Sequence, residues 1–300
     1  MKPLEYAAPG SLEDAVAMLA DRGDRARPFA GGTDLLVRLR SGRADLDLLV
    51  DLKRIPELTQ LSYDPIQGLT LGAAVPCCHI YEDPQVRALY PALVDSTSLI
   101  GGVAIQGRAT VGGNLCNAAP SGDSIPSLMV MGASCRIVGA AGSRVVPVED
   151  FCTGPGRNTL EPGELLLSIH IPPPQPRGGA RYLRFIPRNE MDIAVVGVGA
   201  SIALSEDLQR IVSARIALGA VAPTPLLVRE AGESLVGKTP SEDAFGEAAT
   251  MARESACPIT DMRGSIAYRQ HLVEVLTRRA LQGAMERVQG NSQEKRTYGY

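Results

Sequence analysis

The chain has 300 residues, of which 45 % are apolar and 21 % charged, and its formal net charge is -3. This length predicts two or three domains, and scattered positive residues on a weakly acidic chain argue against a nucleic-acid or anionic-membrane partner. Apolar stretches such as residues 193–204 are too short to cross a bilayer, and the N-terminal residues lack the apolar core of a signal peptide. A cytoplasmic protein without a membrane span is therefore expected.

The N-terminal residues predict a small β/α unit. A first helix is expected between Ser11, which forms a capping-box pattern with Asp14, and Gly23, which stops it. A strand, a helix and a buried strand are predicted at residues 27–30, 35–40 and 48–52.

The middle of the chain carries short apolar runs and one long stretch rich in glycine. Residues 101–122 are poor in secondary-structure signals. An irregular stretch of this length inside a compact domain is usually functional, so a functional loop is expected here. Four prolines at 172–174 and 176, followed by two glycines, mark a domain boundary.

Strand-like runs precede helical periodicity in the C-terminal third. Strands are predicted at residues 181–186, 193–204 and 211–221, and helices near residues 225–236, 241–254 and 265–288. Strands followed by helices are typical of an α+β domain.

Two double-glycine turns carry the strongest local signal. They are Ala30-Gly31-Gly32-Thr33-Asp34, between a strand and a helix, and Thr110-Val111-Gly112-Gly113-Asn114, inside the glycine-rich stretch. Glycines let a backbone approach a ligand closely, and successive amides bind anions. A single such turn is more often structural, and neither fits the dinucleotide G-x-G-x-x-G or the Walker pattern. From the residues alone, the pair indicates a site for a phosphate-bearing ligand.

The order of these motifs resembles one family. AGGTD, then TVGGN followed directly by CNAAPSGD, is similar to the FAD-binding medium subunit of the xanthine dehydrogenase and aerobic carbon monoxide dehydrogenase (molybdenum hydroxylase) family. Residues 99–106, 164–172 and 182–197 agree with it as well, and the resemblance spans roughly residues 1–285.

This resemblance implies an α+β architecture. A p-cresol methylhydroxylase-type FAD-binding fold of two α/β subdomains, at residues 1–55 and 56–176, would precede a C-terminal domain at 177–288 with a small antiparallel sheet plus helices. Residues 289–300 would form a flexible tail. FAD would be bound non-covalently, while a large molybdenum-pterin subunit and a small subunit with two [2Fe-2S] clusters would complete a dimer of heterotrimers. Electrons would pass from the clusters to FAD, then to NAD, a quinone or oxygen.

The resemblance also implies which residues contact FAD. Residues 30–34 and 110–114 would surround the pyrophosphate and ribityl chain, Asp123 would hydrogen-bond a cofactor hydroxyl or ring group, and the isoalloxazine would contact Ile100, Leu166 and Arg184. The full predicted set is Pro28, Phe29, Ala30, Gly31, Gly32, Thr33, Asp34, Leu35, Ile100, Thr110, Val111, Gly112, Gly113, Asn114, Asp123, Leu166 and Arg184.

Several of these residues have a structural alternative. Ile100 and Leu166 could belong to the core, and Asp123 could cap a helix at residues 124–132. Arg184 and Arg188 could form a solvated strand face, with Asp192 paired to either one.

The remaining polar chemistry predicts no catalytic side chain and no metal site in this chain. The six cysteines form no C-x-x-C pair and are expected to be packed thiols; Cys116, two places after Asn114, could alternatively lie near the flavin. The three histidines are isolated from any nucleophile. No cysteine-bearing insertion follows Asn114, which argues against the subgroup with an extra iron–sulfur cluster. A stand-alone FAD oxidase or dehydrogenase of the same fold, or a scaffold without flavin, are the alternatives.

Overall fold

A parallel three-stranded sheet begins the chain in the computed structural model, which describes residues 4–188 and 191–290. Ser11 caps the first helix by accepting the amide of Asp14 at 3.1 Å, and Gly23 ends it with φ +50°. Both predicted helix signals are confirmed. The elements are β1 (Glu5–Ala7), α1 (Leu12–Arg22), a 3-10 turn (Gly23–Arg25), β2 (Ala26–Phe29), α2 (Leu35–Arg40) and β3 (Leu48–Asp51).

The middle part is built on a five-stranded antiparallel sheet with the strand order β4-β5-β10-β6-β7. Its elements are α3 (Pro56–Thr59), β4 (Leu61–Asp64), β5 (Gly68–Gly72), α4 (Cys77–Glu82), α5 (Pro84–Leu89), α6 (Pro91–Thr97), α7 (Val103–Gln106), α8 (Val111–Asn117), α9 (Ser124–Val130), β6 (Ser134–Gly139), β7 (Gly142–Pro147), α10 (Val148–Phe151), β8 (Cys152–Gly154), β9 (Arg157–Asn158) and β10 (Leu165–Ile171). One apolar core joins this sheet to the N-terminal part, because Leu19, Val50, Leu71 and Ile169 are buried together.

The C-terminal part is an antiparallel sheet covered by helices, as predicted. The strand order is β11-β12-β13-β14, and a second apolar core lies between this sheet and the helices. The predicted helix at 225–236 is shorter than expected, because a strand precedes it. The elements are β11 (Gly178–Phe185), β12 (Val196–Leu204), β13 (Ile211–Gly219), β14 (Leu226–Leu227), α11 (Arg229–Glu233), α12 (Glu242–Ser255) and α13 (Ile266–Val288).

The glycine-rich stretch at residues 101–122 is not the irregular loop that the sequence predicted. It contains α7 and α8, and the second glycine turn forms the beginning of α8. Thr110 caps this helix, since its side chain accepts the amide of Gly113 at 2.9 Å. Glycine has a low helix propensity, so the composition concealed a helix that is fixed by its cap and by the buried Val111 and Leu115.

Two further expectations concern the limits of the chain. Within the described residues, no helix is long and apolar enough to span a membrane. The expected tail falls almost wholly outside the described residues, which end at Gly290. The domain limits at residues 55 and 176 stay predictions.

Candidate functional site

A cavity of about 550 Å³ lies where the N-terminal sheet meets the middle part of the chain. Its size is within the range of small-molecule and cofactor sites. It brings together residues from both glycine turns and from the start of β10. The predicted site residues that line it are Pro28, Phe29, Ala30, Gly31, Gly32, Thr33, Asp34, Leu35, Ile100, Thr110, Gly112, Gly113, Asn114 and Leu166.

The first glycine turn packs directly against the chain that leads into the second. Gly31 lies so close to Arg108 and Ala109 that a Cβ at this position would overlap the Arg108 carbonyl group. Gly32 has φ +71°, which is in the left-handed region that favours glycine. The two turns, about 80 residues apart in sequence, therefore form one wall of the cavity.

A lysine that the sequence did not single out supports the first turn. Lys53 Nζ donates to the carbonyl oxygen of Ala30 at 3.1 Å, pairs with Asp51 Oδ1 at 2.7 Å and lies 4.4 Å from the centre of the Phe29 ring. A cation over an aromatic face is stabilising. Lys53 thus holds the end of β2 in the position from which the turn departs.

Both turns offer backbone amides that the protein itself does not use. From Gly31 to Leu35, no amide has a hydrogen-bond acceptor within the described part of the chain, and the same holds for Val111 and Gly112. Backbone N–H groups in folded proteins are almost always paired. All of these residues except Val111 line the cavity, and such a run of unpaired amides is an arrangement suited to an anionic ligand.

The second turn is anchored on the side away from the first. Gly112 packs against Ala73, whose Cβ would lie 2.6 Å from a Cβ at position 112. The Oδ1 atom of Asn114 accepts hydrogen bonds from Ser124 Oγ at 2.7 Å and from the Ser124 amide at 3.3 Å. These contacts fix α8 against β5 and α9.

Asp123, Tyr182 and Arg184 form a buried group next to this anchor. Asp123 Oδ1 accepts from Tyr182 Oη at 2.8 Å, and Oδ2 pairs with Arg184 Nη1 at 2.7 Å. Burial raises the pKa of Asp123, although Arg184 and Tyr182 act to lower it, and burial raises the pKa of Tyr182 well above its usual value. Arg184 Nε is buried without a hydrogen-bond partner.

These contacts decide between the structural alternatives. Asp123 occupies the N-cap position of α9, as that alternative predicted, but its side chain makes no capping hydrogen bond and binds Tyr182 and Arg184 instead. Arg184 is 5 % exposed and is not part of a solvated face. Asp192 pairs with Arg188 at 3.2 Å, not with Arg184. Three residues of the predicted set, Val111, Asp123 and Arg184, do not line the cavity.

Known families match almost the whole chain. The FAD-binding domain in molybdopterin dehydrogenase matches residues 2–174, and the C-terminal domain of the CO dehydrogenase flavoprotein matches residues 181–284. The chain belongs to the FAD-binding subunits of the molybdopterin dehydrogenases. The predicted family, fold and cofactor are confirmed.

The relatives of this chain match it over nearly the whole length of both proteins. A putative xanthine dehydrogenase FAD-binding subunit of Escherichia coli is 30 % identical over 96 % of this chain and 98 % of its own. The carbon monoxide dehydrogenase medium chain of Afipia carboxidovorans is 34 % identical over 94 % of this chain and 97 % of its own. The solved CO dehydrogenase from Oligotropha carboxidovorans is 32 % identical, covers 96 % of this chain and 100 % of its own, and has a TM-score of 0.90.

Several residues that line the cavity of this FAD-binding subunit were not predicted from the sequence. Further lining residues come from α1, the β8–β9 hairpin and the segment before β10. The Gly-Pro-Gly run at 154–156, directly before Arg157, is a turn signal that could have indicated this hairpin. Leu19, Ala26, Leu160 and Pro162 have only apolar periodicity in the sequence, which does not distinguish a cavity wall from a core.

Cys116 lines the cavity as well. Burial raises the pKa of its thiol to about 12, and Cys152 nearby contributes. Its carbonyl oxygen accepts from Asn158 Nδ2 at 2.8 Å, which attaches the β8–β9 hairpin to α8. A thiol with so high a pKa is neutral at physiological pH and a poor nucleophile, so Cys116 contributes a small apolar surface to the cavity.

Proposed function

We propose that this cavity holds FAD non-covalently, with the diphosphate at the two glycine turns. The observation that carries the proposal is the run of unpaired amides from Gly31 to Leu35, together with those of Val111 and Gly112. A diphosphate needs many donors and little steric bulk, and the turns supply both. The glycines also permit the close contact of Gly31 with Arg108 that brings the two sets of amides together.

Apolar side chains on the same cavity suit the isoalloxazine ring. Ile100 and Leu166 are 8 % and 3 % exposed and both line the cavity. Each also packs in an apolar core, so the two interpretations of these residues, core and cofactor contact, are compatible. We propose that they bound the ring on its apolar sides.

The proposed contacts of Asp123 and Arg184 with the cofactor stay predictions. Both side chains lie outside the cavity lining and pair with each other. The unpartnered Arg184 Nε is a donor without an acceptor, and a buried donor of this kind is costly unless a ligand satisfies it. This atom is the observation that favours a cofactor contact here.

The chain's role follows from the cofactor and from the relatives. FAD, when bound, exchanges electrons with neighbouring redox groups, while the protein binds and orients it. By analogy with the medium chains that it resembles, we propose a large molybdenum-pterin subunit and a small [2Fe-2S] subunit as partners, in a dimer of heterotrimers. Electrons would arrive from the [2Fe-2S] clusters and leave to NAD, a quinone or oxygen.

The competing hypothesis is a stand-alone FAD oxidase or dehydrogenase. Purification of the tagged chain from its native host, without added denaturant, separates the two. We expect one larger and one smaller chain to co-purify in equal amounts, with molybdenum and iron in the sample. Recovery of this chain alone with FAD, and with substrate oxidation by the isolated chain, would contradict the proposal.

A further inference from the structure

Two arginines of the cavity form no ion pair with an acidic residue in the described part of the chain. Arg38 on α2 and Arg157 on the β8–β9 hairpin both line it. In the part of the chain that the structure describes, neither guanidinium donates a hydrogen bond or forms an ion pair. Arg27, the third arginine of the cavity, differs from them because it donates to the carbonyl of Ala26 and lies 3.9 Å from Asp24.

The guanidiniums of Arg38 and Arg157 both lie at the turn of the β8–β9 hairpin. A Cβ placed on Gly156 would lie 3.5 Å from Arg38 Nη2, and one placed on Gly154 would lie 2.9 Å from Arg157 Nη2. A side chain at Gly154 would therefore collide with the guanidinium of Arg157, whereas one at Gly156 would be at ordinary contact distance from Arg38. Both arginines are otherwise exposed, so their position at the turn is not the result of burial in a core.

Arg38 is also placed next to the unpaired amides of the first glycine turn. It lies four residues after Asp34, on the same face of α2, and both residues line the cavity. Burial raises the pKa of Asp34, and Arg38 lowers it only in part. The cavity therefore contains the carboxyl group of Asp34 close in sequence to the guanidinium of Arg38.

An anionic ligand bound at the amides of the first glycine turn would lie near the acidic side chain of Asp34 and would be stabilised by cationic side chains. Amides carry only partial positive charges. Without cationic side chains, these alone would have to hold the negatively charged diphosphate beside the carboxyl group of Asp34. Arginine presents a planar set of donors that matches phosphate oxygens, and such charge-assisted bonds are stronger than neutral ones. The lysine near the turn, Lys53, is already paired with Asp51.

We propose that Arg38, from α2, and Arg157, from the β8–β9 hairpin, bind the diphosphate of FAD in the cavity and hold it against the glycine turns. This inference rests on the proposed function, because it assigns two further side chains to the same ligand. It also gives the β8–β9 hairpin a role, since the hairpin carries Arg157 and its turn at Gly156 lies beside Arg38.

Ligand fragments separate a phosphate contact from a general effect on the cavity. The full-length, flavin-free chain is titrated with FAD, ADP, adenosine and riboflavin, as wild type and as Arg38→Gln and Arg157→Gln. The matched control is Arg40→Gln, on the same helix but outside the cavity lining. Far-ultraviolet circular dichroism checks that each variant is folded.

We expect each cavity variant to bind FAD and ADP about 10-fold more weakly, as for the loss of one charge-assisted hydrogen bond. Adenosine and riboflavin should bind within about twofold of wild type, and the control should match wild type throughout. Added salt should weaken FAD binding less in the two variants than in wild type, because a charged contact has been removed.

Unchanged binding of FAD and ADP in both variants would overturn the inference. Equal weakening of adenosine or riboflavin would overturn it too, since the arginines would then contact the adenine or shape the whole cavity. Failure of the proposed function gives a different result, in which the wild-type chain itself binds no FAD. The wild-type titration thus tests the function, and the ratio of variant to wild type tests the arginines.

Discussion

Gly112 lies where the second glycine turn passes the backbone of Ala73, with too little space for a side chain. A Cβ at this position would stand 2.7 Å from Ala73 Cα and would also meet the Ala73 carbonyl oxygen. Backbone atoms of α8 and of the residue after β5 cannot give way as the end of a flexible side chain can. The absence of a side chain at Gly112 is therefore a packing requirement as well as a means of approaching the ligand.

We predict that Gly112→Ala lowers the free energy of unfolding by about 1–3 kcal/mol, the usual cost of overpacking, and weakens FAD binding. Gly107→Ala is the control, because Gly107 lies in the same stretch with φ -70° and open space around the added carbon. Urea unfolding of the three proteins measures the difference. Identical urea midpoints for Gly112→Ala and Gly107→Ala would contradict the prediction, because the turn would then shift to accommodate the added carbon.

Glu164, at the cavity wall before β10, is held by an arginine on β7. Arg144 Nε donates to Glu164 Oε1 at 2.9 Å and Arg144 Nη2 to the carbonyl of Thr159 at 2.7 Å, while the amide of Glu161 donates to Glu164 Oε2 at 2.8 Å. The hydrogen bond from Arg144 and the amide of Glu161 hold the pKa of Glu164 below its usual value. A depressed carboxyl pKa stabilises the folded state above the pKa of the unfolded chain, and this stabilisation disappears as the pH falls through the lower, folded value.

Measuring the stability of Glu164→Gln against wild type at several pH values tests the direction of this pH dependence. At pH 7 we expect wild type to be more stable by at most about 1 kcal/mol, since Arg144 is partly exposed and solvent screens the pair. The difference should shrink as the pH falls below the ordinary glutamate pKa of 4.5. Glu57→Gln, on the exposed side of α3, is the control. A difference that grows towards acid pH would contradict the assignment.

At the scale of the elements, β11 joins the two apolar cores through two buried carboxylates. Asp123 before α9 binds Tyr182 and Arg184, as described above. Asp95 on α6 accepts the amide of Tyr182 at 3.0 Å and forms a two-point ion pair with Arg287 of α13, at 2.7 Å and 2.8 Å. Residues of one strand thus fasten the C-terminal sheet to the helices of the middle part.

We predict that Asp95→Ala costs about 3–5 kcal/mol, because Arg287 would stay largely buried without its partner. Removing both partners in Asp95→Ala with Arg287→Met should cost less than the sum of the single changes. Arg278→Ala, which breaks an exposed pair with Glu274, is the control and should cost under about 1 kcal/mol. If Asp95→Ala lowered the free energy of unfolding no more than the control does, the ion pair between Asp95 and Arg287 would contribute little to stability.

At the scale of the whole molecule, the sequence predicted what depends on neighbours along the chain. The capping pattern at Ser11, the turn at Gly31 and Gly32, and the strands before the last helices all follow from local preferences. Most of the predicted site residues also line the cavity, because they were taken from motifs that the chain shares with its family in the same order.

Contacts between distant residues were beyond a single sequence. Asp123 is paired with a residue 61 positions later, and no pattern of spacing indicates such a pair. Arg38 and Arg157 belong to separate parts of the sequence and carry no motif, and only the folded chain places both at the turn of the β8–β9 hairpin. The helix at the second glycine turn escaped notice because its stability comes from the Thr110 cap and from packing, while its composition favours a loop.

The central claim is that this chain by itself forms a non-covalent FAD site. The most direct test is an equilibrium titration of the purified, flavin-free full-length chain with FAD, followed by visible absorbance. We predict saturation at one FAD per chain, a perturbed flavin spectrum, and release of the unmodified cofactor when the protein is denatured. A chain that is folded yet neither binds FAD nor changes its spectrum, or that retains FAD after denaturation, would contradict the account.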